Sequence, residues 1–235
     1  MESIVVVPTY NERGNITELI KAISKFNIDV LVVDDNSPDG TWKIVKEISK
    51  KNKKVHLLLR KGKRGRGLAG IAGFKYALEK NYGYIIEMDG DFSHDPKYIP
   101  KLLEKIKSCD VVLGSRFVKG GKQIGRPAIR RLITRLANLY IRLVLGLKVR
   151  DCNSGYRCFR RNVIKSINLN SIESKGPDVV QEILYRCHLK SFRICEIPIV
   201  FKERKKGKTK LKPKHIVRSY IRITNLRFSR VKGMI

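Results

Sequence analysis

Runs of apolar, largely β-branched residues at 4–7, 30–33, 55–59, 84–88 and 111–113 alternate with longer stretches in which apolar positions recur every three or four residues. Continuous short runs suit strands buried on both faces, and the three-and-four spacing suits amphipathic helices at about 15–26, 39–50, 66–80 and 97–107. Their regular alternation predicts stacked βαβ units, an α/β fold whose mainly parallel sheet is flanked by helices. In such sheets ligands sit beyond the carboxyl ends of the strands, so chemistry is expected just after each apolar run.

The residues found there are polar and distinctive: Thr9-Tyr10-Asn11-Glu12, Asp34-Asp35-Asn36-Ser37-Pro38-Asp39-Gly40, Asp89-Gly90-Asp91 and Ser115-Arg116. Asp89 and Asp91 follow an apolar strand directly, and Gly90 between them permits a bend that turns both carboxylates into the ligand crevice. Hard oxygen ligands with open positions suit Mg²⁺ or Mn²⁺ bridging a diphosphate, while the alternative is an ordinary solvated acidic turn. Asp34-Asp35 fits an acceptor for ribose or base, or else a helix N-cap. No G-x-G-x-x-G follows the first strand and no G-x-x-x-x-G-K-[ST] occurs, which argues against dinucleotide enzymes and P-loop NTPases.

After residue 116 the alternation stops. Residues 118–127 are rich in Gly, Lys and Arg and read as an irregular, mobile stretch. From 129 to 147, apolar positions 129, 132, 133, 136, 139, 140, 143, 144 and 147 trace one helical face, with Arg130, Arg131, Arg135 and Arg142 off it. Such a helix packs on its own core, the ordinary expectation, or lies in a membrane interface. A catalytic domain over 1–211 and a basic C-terminal helix or tail over 212–235 complete the expected organisation.

Lys and Arg total 51 against 21 Asp and Glu, a net charge of +30, so the surface draws polyanions: nucleic acid, anionic lipid or phosphorylated substrates. Nucleic-acid binding calls for aromatic residues interleaved with the cations. Aromatics make up 8% of the chain and do not cluster in its basic end, so that class is disfavoured. The five cysteines, Cys109, Cys152, Cys158, Cys187 and Cys195, form no C-x-x-C pair and are expected to be free thiols in a reducing compartment. The N-terminus reads as a strand and not a signal peptide, and no apolar run approaches the ~20 residues of a membrane span. A cytoplasmic protein that meets a membrane only peripherally, on its cytosolic face, is the expectation.

Pro8-Thr9-Tyr10-Asn11-Glu12, Val32-Val33-Asp34-Asp35-Asn36-Ser37, Met88-Asp89-Gly90-Asp91 and Gly114-Ser115-Arg116-Phe117 resemble the inverting family-2 glycosyltransferases of GT-A fold. Within that family, Asp35-Asn36-Ser37-Pro38-Asp39-Gly40-Thr41, Gly65-Arg66-Gly67-Leu68-Ala69, Asp91-Phe92-Ser93-His94-Asp95-Pro96, Asn153-Ser154-Gly155-Tyr156-Arg157, Glu196-Ile197-Pro198-Ile199, Phe201-Lys202-Glu203-Arg204 and Gly207-Lys208-Thr209-Lys210-Leu211 look most like the dolichol phosphate mannose synthases. These motifs run in order from residue 4 to about 211. Gly90 stands where Ala is usual, and 175–182 is not a clean copy of the mannosyl enzymes' pattern.

The resemblance implies transfer of mannose from GDP-mannose to dolichyl or another polyprenyl phosphate for glycan assembly, with UDP-glucose as the alternative donor. It implies that Pro8, Tyr10, Glu12, Val33 and Asp35 form the guanosine end of the donor site. Asp89 and Asp91, on either side of Gly90, would hold the metal and diphosphate, with Ser93 as a third metal ligand. Arg116, Arg131, Arg204 and Lys210 would bind the phosphates of donor and acceptor. A lipid monophosphate is already an anionic nucleophile and needs cations rather than a strong base, whereas a hydroxyl acceptor would need one, for which Glu182 is the candidate. A lipid acceptor also gives the helix at 129–147 a reason to lie in an interface, and leaves room for an integral-membrane anchoring subunit.

Overall fold

The apolar runs become strands β1 (Ser3–Thr9), β2 (Asp29–Asp34), β3 (Val55–Leu59), β4 (Tyr84–Glu87) and β5 (Val111–Ser115) of the structure, a computed structural model that describes residues 2–203 and 213–229. Between them lie α1 (Ile16–Ser24), α2 (Thr41–Lys51), α3 (Arg66–Glu79) and α4 (Ile99–Lys105), the last led in by a 3-10 turn at Pro96–Tyr98. Two further strands, β7 (Arg157–Arg160) and β8 (Ile194–Pro198), complete a seven-stranded sheet in the order β3-β2-β1-β4-β7-β5-β8. β7 is antiparallel to β4 and β5, and the other pairings in that sheet are parallel.

Period-two alternation sorts the strand residues between two cores. Ile4, Val6, Leu31, Val33 and Ile85 face α3 through Phe74 and Ala77. Val5, Val7, Val30, Val32 and Ile86 face the layer of α1, α2 and α4 through Ile16, Leu19, Val45, Ile99 and Leu102. Burial on both faces is why these strands read as unbroken apolar runs. The glycine series in α3 has a packing cause: a Cβ at Gly73 would stand 2.3 Å from Val6 Cγ1, so the helix lies closer to the sheet than any side chain allows.

The Gly, Lys and Arg-rich stretch contains β6 (Lys122–Ile124), which pairs in parallel with β9 (Val200–Lys202) as a separate two-stranded sheet. α5 (Ala128–Leu145) follows, and α6 (Arg161–Ser166), α7 (Val179–Leu189) and α8 (Pro213–Ser229) complete the order among the described residues. The expectation that the 129–147 helix packs its apolar face on the core is corrected. In α5 only Asn138, Ile141 and Leu145 are buried. Ile129, Leu132, Ile133, Leu136, Leu139 and Leu143 point outward, Leu143 being 74% exposed. Tyr140 turns the other way, its ring 5.1 Å from that of Tyr220 and its hydroxyl 2.6 Å from Thr224 Oγ1, so α8 packs on α5. The expected boundary at 211–212 lies outside the described residues. Among those described, no helix is long and apolar enough to cross a membrane.

The expectation of five free thiols is also corrected. Cys109 and Cys195 form a disulfide across 86 residues of sequence, with Cα atoms 6.2 Å apart. Parallel pairing of β5 with β8, Val112 opposite Cys195, brings the two together. Cys152, Cys158 and Cys187 are free and buried.

Candidate active site

Loops at the carboxyl ends of β1, β2, β4 and β5 converge as the alternating pattern requires. The two adjacent aspartates after β2 differ in role. Asp34 is buried and accepts hydrogen bonds from Thr9 Oγ1 at 2.8 Å and from the amide and hydroxyl of Ser37, both at 2.7 Å. It ties the β1 and β2 loops together. Asp35 faces the loop after β3, where it accepts from the Gly65 amide at 2.8 Å and pairs with Arg60. Arg64 of that loop lies 5.0 Å from the Tyr10 ring centre and bonds its hydroxyl. Pro8 and Val33 are register partners on β1 and β2, and Glu12 donates its amide to Thr41 Oγ1 at 3.0 Å. Pro8, Tyr10, Glu12 and Asp35 therefore gather at one end of the candidate site, whereas the Val33 side chain is buried against α3 and can take part there only through its backbone.

The Asp89-Gly90-Asp91 turn leaves β4 beneath that end. A Cβ at Gly90 would come within 3.2 Å of Thr9 Cγ2, so the turn lies tight against the β1 loop. Phe92 holds φ 61, a left-handed conformation that a bulky residue adopts only under constraint from its surroundings. The buried Ser93 donates its amide to Asp91 Oδ1 at 3.0 Å. Asp91 borders a cavity of about 550 Å³ that also touches Phe26, Asp95, Lys97 and Lys202.

Asp89 belongs to a ladder of charges. Arg66, the first residue of α3, donates through Nη2 to Asp89 Oδ1 at 3.0 Å and through Nη1 to Glu87 Oε1 at 3.2 Å. Glu87, wholly buried, also accepts from Arg157 Nε at 3.1 Å. Burial alone would raise the Asp89 pKa, but the Arg66 guanidinium, together with the nearby His94 and Arg157, more than offsets this and holds the carboxyl at about 2. The Asp89 amide donates to His94 Nδ1 at 3.2 Å, and the buried imidazole stacks on Tyr156 with ring centres 5.2 Å apart. Burial lowers the pKa of His94.

Asp89 and Asp91 offer carboxylate oxygens of the kind that Mg²⁺ or Mn²⁺ prefers. Among the described residues no group of three or more His, Cys, Asp or Glu could hold a metal unaided. That donor set fits a cation whose remaining ligands come from a bound diphosphate.

Beyond β5, Arg116 is clamped by Asp151, and its guanidinium stands 5.3 Å from the Phe201 ring centre. Arg126 approaches the same ring to 5.4 Å, and Glu203 pairs with Arg126 at 2.9 Å and Arg130 at 2.8 Å. The start of α5 is thus drawn to Arg116, with Arg131 exposed in its first turn. Arg204 and Lys210 lie outside the described residues. Glu182 is buried and accepts from the amides of Glu173 and Ser174, at 3.2 and 2.9 Å, and from Arg186 Nη2 at 2.8 Å. This carboxylate anchors the 173–174 turn.

Residues 4–167 match the profile described as Glycosyl transferase family 2. The chain belongs to that family. This glycosyltransferase is 40% identical over 213 residues to the undecaprenyl-phosphate mannosyltransferase of Micrococcus luteus, covering 90% of this chain and 88% of the relative. It is 34% identical over 241 residues to the polyprenol monophosphomannose synthase of Mycolicibacterium smegmatis, covering 99% and 91%. With the dolichol-phosphate mannosyltransferase of Pyrococcus furiosus it shares 39% identity over 224 residues, 92% of this chain and 61% of that longer protein. The glucosyl-3-phosphoglycerate synthase of Mycobacterium tuberculosis, solved with Mn²⁺, UDP and glucosyl-3-phosphoglycerate, superposes with a TM-score of 0.68 at 18% identity, over 97% of this chain and 79% of that one. The fold of the glycosyltransferase is GT-A.

Several residues that shape the site carry no signal of their own in the sequence. Arg66 and Arg157 lie within the quoted motifs and Glu87 just before one, yet only the β4–β7 pairing, with Glu87 opposite Arg157, shows that they form one charge network. Asp151 and Arg126 lie in no quoted motif and are brought in by tertiary structure, which also gives the motif residues His94 and Phe201 their partners. The strand-end rule alone points to Glu87, as the last residue of β4.

Proposed function

We propose that the enzyme transfers mannose from GDP-mannose to a polyprenyl phosphate such as dolichyl phosphate, inverting the anomeric carbon and releasing GDP. The observation that carries this reading is 34–40% identity over at least 90% of the chain to three relatives whose names all join mannose to a polyprenyl phosphate. In this proposal Pro8, Tyr10, Glu12, Val33 and Asp35 enclose the guanosine. Asp89, Asp91 and Ser93 hold the divalent cation, and Gly90 keeps that turn low enough for the diphosphate to lie across it. When bound, the cation neutralises charge that grows on the departing diphosphate. Arg116 and Arg131 draw in the acceptor phosphate, which attacks as an anion, so no side chain need remove a proton. The placement of Glu182 supports this economy, because its oxygens are committed to the 173–174 turn and Arg186.

The exposed apolar face of α5 gives the reaction its setting. Ile129, Leu132, Leu136 and Leu143 would enter the lipid interface while neighbouring arginines meet anionic headgroups, peripherally and on the cytosolic face. The test is incubation with Mn²⁺, a short polyprenyl phosphate and either GDP-mannose or UDP-glucose, read by mass spectrometry of the lipid. Mannosyl lipid that disappears with Asp91→Ala supports the proposal. Product from UDP-glucose alone would replace the donor, and no lipid product from either would overturn the acceptor.

A further inference from the structure

Arg66 touches both Glu87 and Asp89, and the surrounding chain is built to keep it there. Its Nε and Nη2 reach Asp89 Oδ1 at 3.3 and 3.0 Å while Nη1 reaches Glu87 Oε1 at 3.2 Å. Glu87 Oε2 is held by Arg157. Two guanidiniums thus stand against two carboxylates, so the negative charge of Asp89 is already cancelled before any substrate binds. The Asn153-Ser154-Gly155-Tyr156-Arg157 segment supplies the second guanidinium and also the room. A Cβ at Gly155 would lie 2.6 Å from Arg66 Nη2 and 3.4 Å from Asp89 Oδ1. On the other side, the backbone at 174–176 packs against the start of α3, with the Gly67 amide donating to the Lys175 carbonyl at 3.2 Å. A Cβ at Gly67 would stand 2.8 Å from the Ser174 carbonyl, and Glu182 fixes that turn from behind.

A guanidinium bound to a metal-ligating carboxylate repels a dication at the same oxygens and, once a diphosphate arrives, attracts it. We propose that Arg66 is a built-in counter-ion that occupies Asp89 until a nucleoside diphosphate enters and then turns to that diphosphate, so that divalent cation and nucleotide bind as a coupled pair. This rests on the reading that Asp89 and Asp91 hold the cation. Because coupling is reciprocal, GDP strengthens Mn²⁺ binding by the same factor by which Mn²⁺ strengthens GDP binding.

The experiment measures Mn²⁺ affinity, by the electron paramagnetic resonance of free Mn²⁺, with and without GDP, for the wild-type chain, Arg66→Met, Gly155→Ala and Asp91→Ala. The wild type should bind Mn²⁺ weakly alone and about 5- to 150-fold more tightly with GDP, the usual span of such couplings. Arg66→Met should bind Mn²⁺ alone at least about tenfold more tightly than wild type and gain less from GDP. Gly155→Ala keeps the guanidinium but pushes it off Asp89, and its backbone is not left-handed, so alanine is tolerated there. It should shift in the same direction as Arg66→Met, and it decides the matter if that variant does not fold. Unchanged Mn²⁺ affinity in both variants, with Asp91→Ala abolishing binding, would overturn the counter-ion and leave the metal site standing. No Mn²⁺ binding by any form, with or without GDP, would overturn both.

Discussion

Arg116 donates to both carboxylate oxygens of Asp151, from Nε to Oδ2 at 2.8 Å and from Nη2 to Oδ1 at 2.7 Å, and its backbone amide adds a third bond to Oδ2 at 2.9 Å. Asp151 is itself fixed from β8, where the Glu196 carboxylate accepts from the amides of Arg150 at 2.8 Å and Asp151 at 3.0 Å. The guanidinium is therefore oriented before a phosphate arrives, as bidentate pairs allow.

Asp151→Asn should release that orientation while leaving the donor end intact. A displacement of about 1 Å at a positioned group lowers catalysis on the order of 100-fold. The expected result is kcat/KM for polyprenyl phosphate falling by roughly that factor, with the KM for the nucleotide sugar nearly unchanged. Steady-state kinetics varying each substrate in turn checks the split.

The Glu87–Arg157 pair is almost wholly buried, at 0% and 1% side-chain exposure. Removing Arg157 leaves the buried Glu87 to Arg66 alone at 3.2 Å, and breaking such a buried pair costs about 3–5 kcal/mol where the remaining partner does not compensate. Arg157→Met should lower the melting temperature by about 6–20 °C, at roughly 2–4 °C per kcal/mol for a chain of this size. Calorimetry of the variant against wild type measures it, and a shift under a few degrees would mean that Arg66 alone satisfies Glu87.

Asp89 adds a pH dependence to this network. Its folded-state pKa of about 2 lies below the ordinary value of 3.8, so the carboxylate contributes stability that is present above about pH 4 and lost as pH falls towards about 2. Asp89→Asn removes that contribution. The melting temperatures of wild type and Asp89→Asn should differ most above pH 4 and converge as the pH is lowered from 5 to 2.5. Curves that stay parallel across that range would show that Asp89 is not held below its ordinary pKa.

How much of this was legible in the sequence depends on whether a feature is local. β1, β2 and β4 announce themselves because Val5, Val6, Val32 and Ile86 are buried whichever face they point to. The strand-end rule then places Asp35, Asp89 and Arg116 at the site. β7 is four residues long with arginines at both ends, and only its antiparallel insertion between β4 and β5 makes it a strand. Asp34 and Asp35 look equivalent in sequence, yet strand alternation turns one into the loop scaffold and the other towards the β3 loop. The Cys109–Cys195 bond depends on β8 docking beside β5, which no spacing rule reveals. Helical periodicity identified α5 but could not say which side its apolar face meets, because a core and a lipid surface select the same residues.

That face can be tested without disturbing the fold. Leu136 and Leu143 are 57% and 74% exposed, so changing both to Asp removes little native packing and should leave the melting temperature within a few degrees of wild type. On a membrane each leucine is worth about 1.5–3 kcal/mol when its side chain leaves water, and the two losses together should weaken partitioning on the order of 100-fold or more. Sedimentation with vesicles of anionic phospholipid, at low and moderate salt, reads this directly. Wild type should pellet and keep part of its binding as salt screens Arg130, Arg131 and Arg135, whereas Leu136→Asp with Leu143→Asp should stay in the supernatant at moderate salt. Equal sedimentation of both proteins would assign membrane contact to the basic surface alone and leave the apolar face of α5 for another partner.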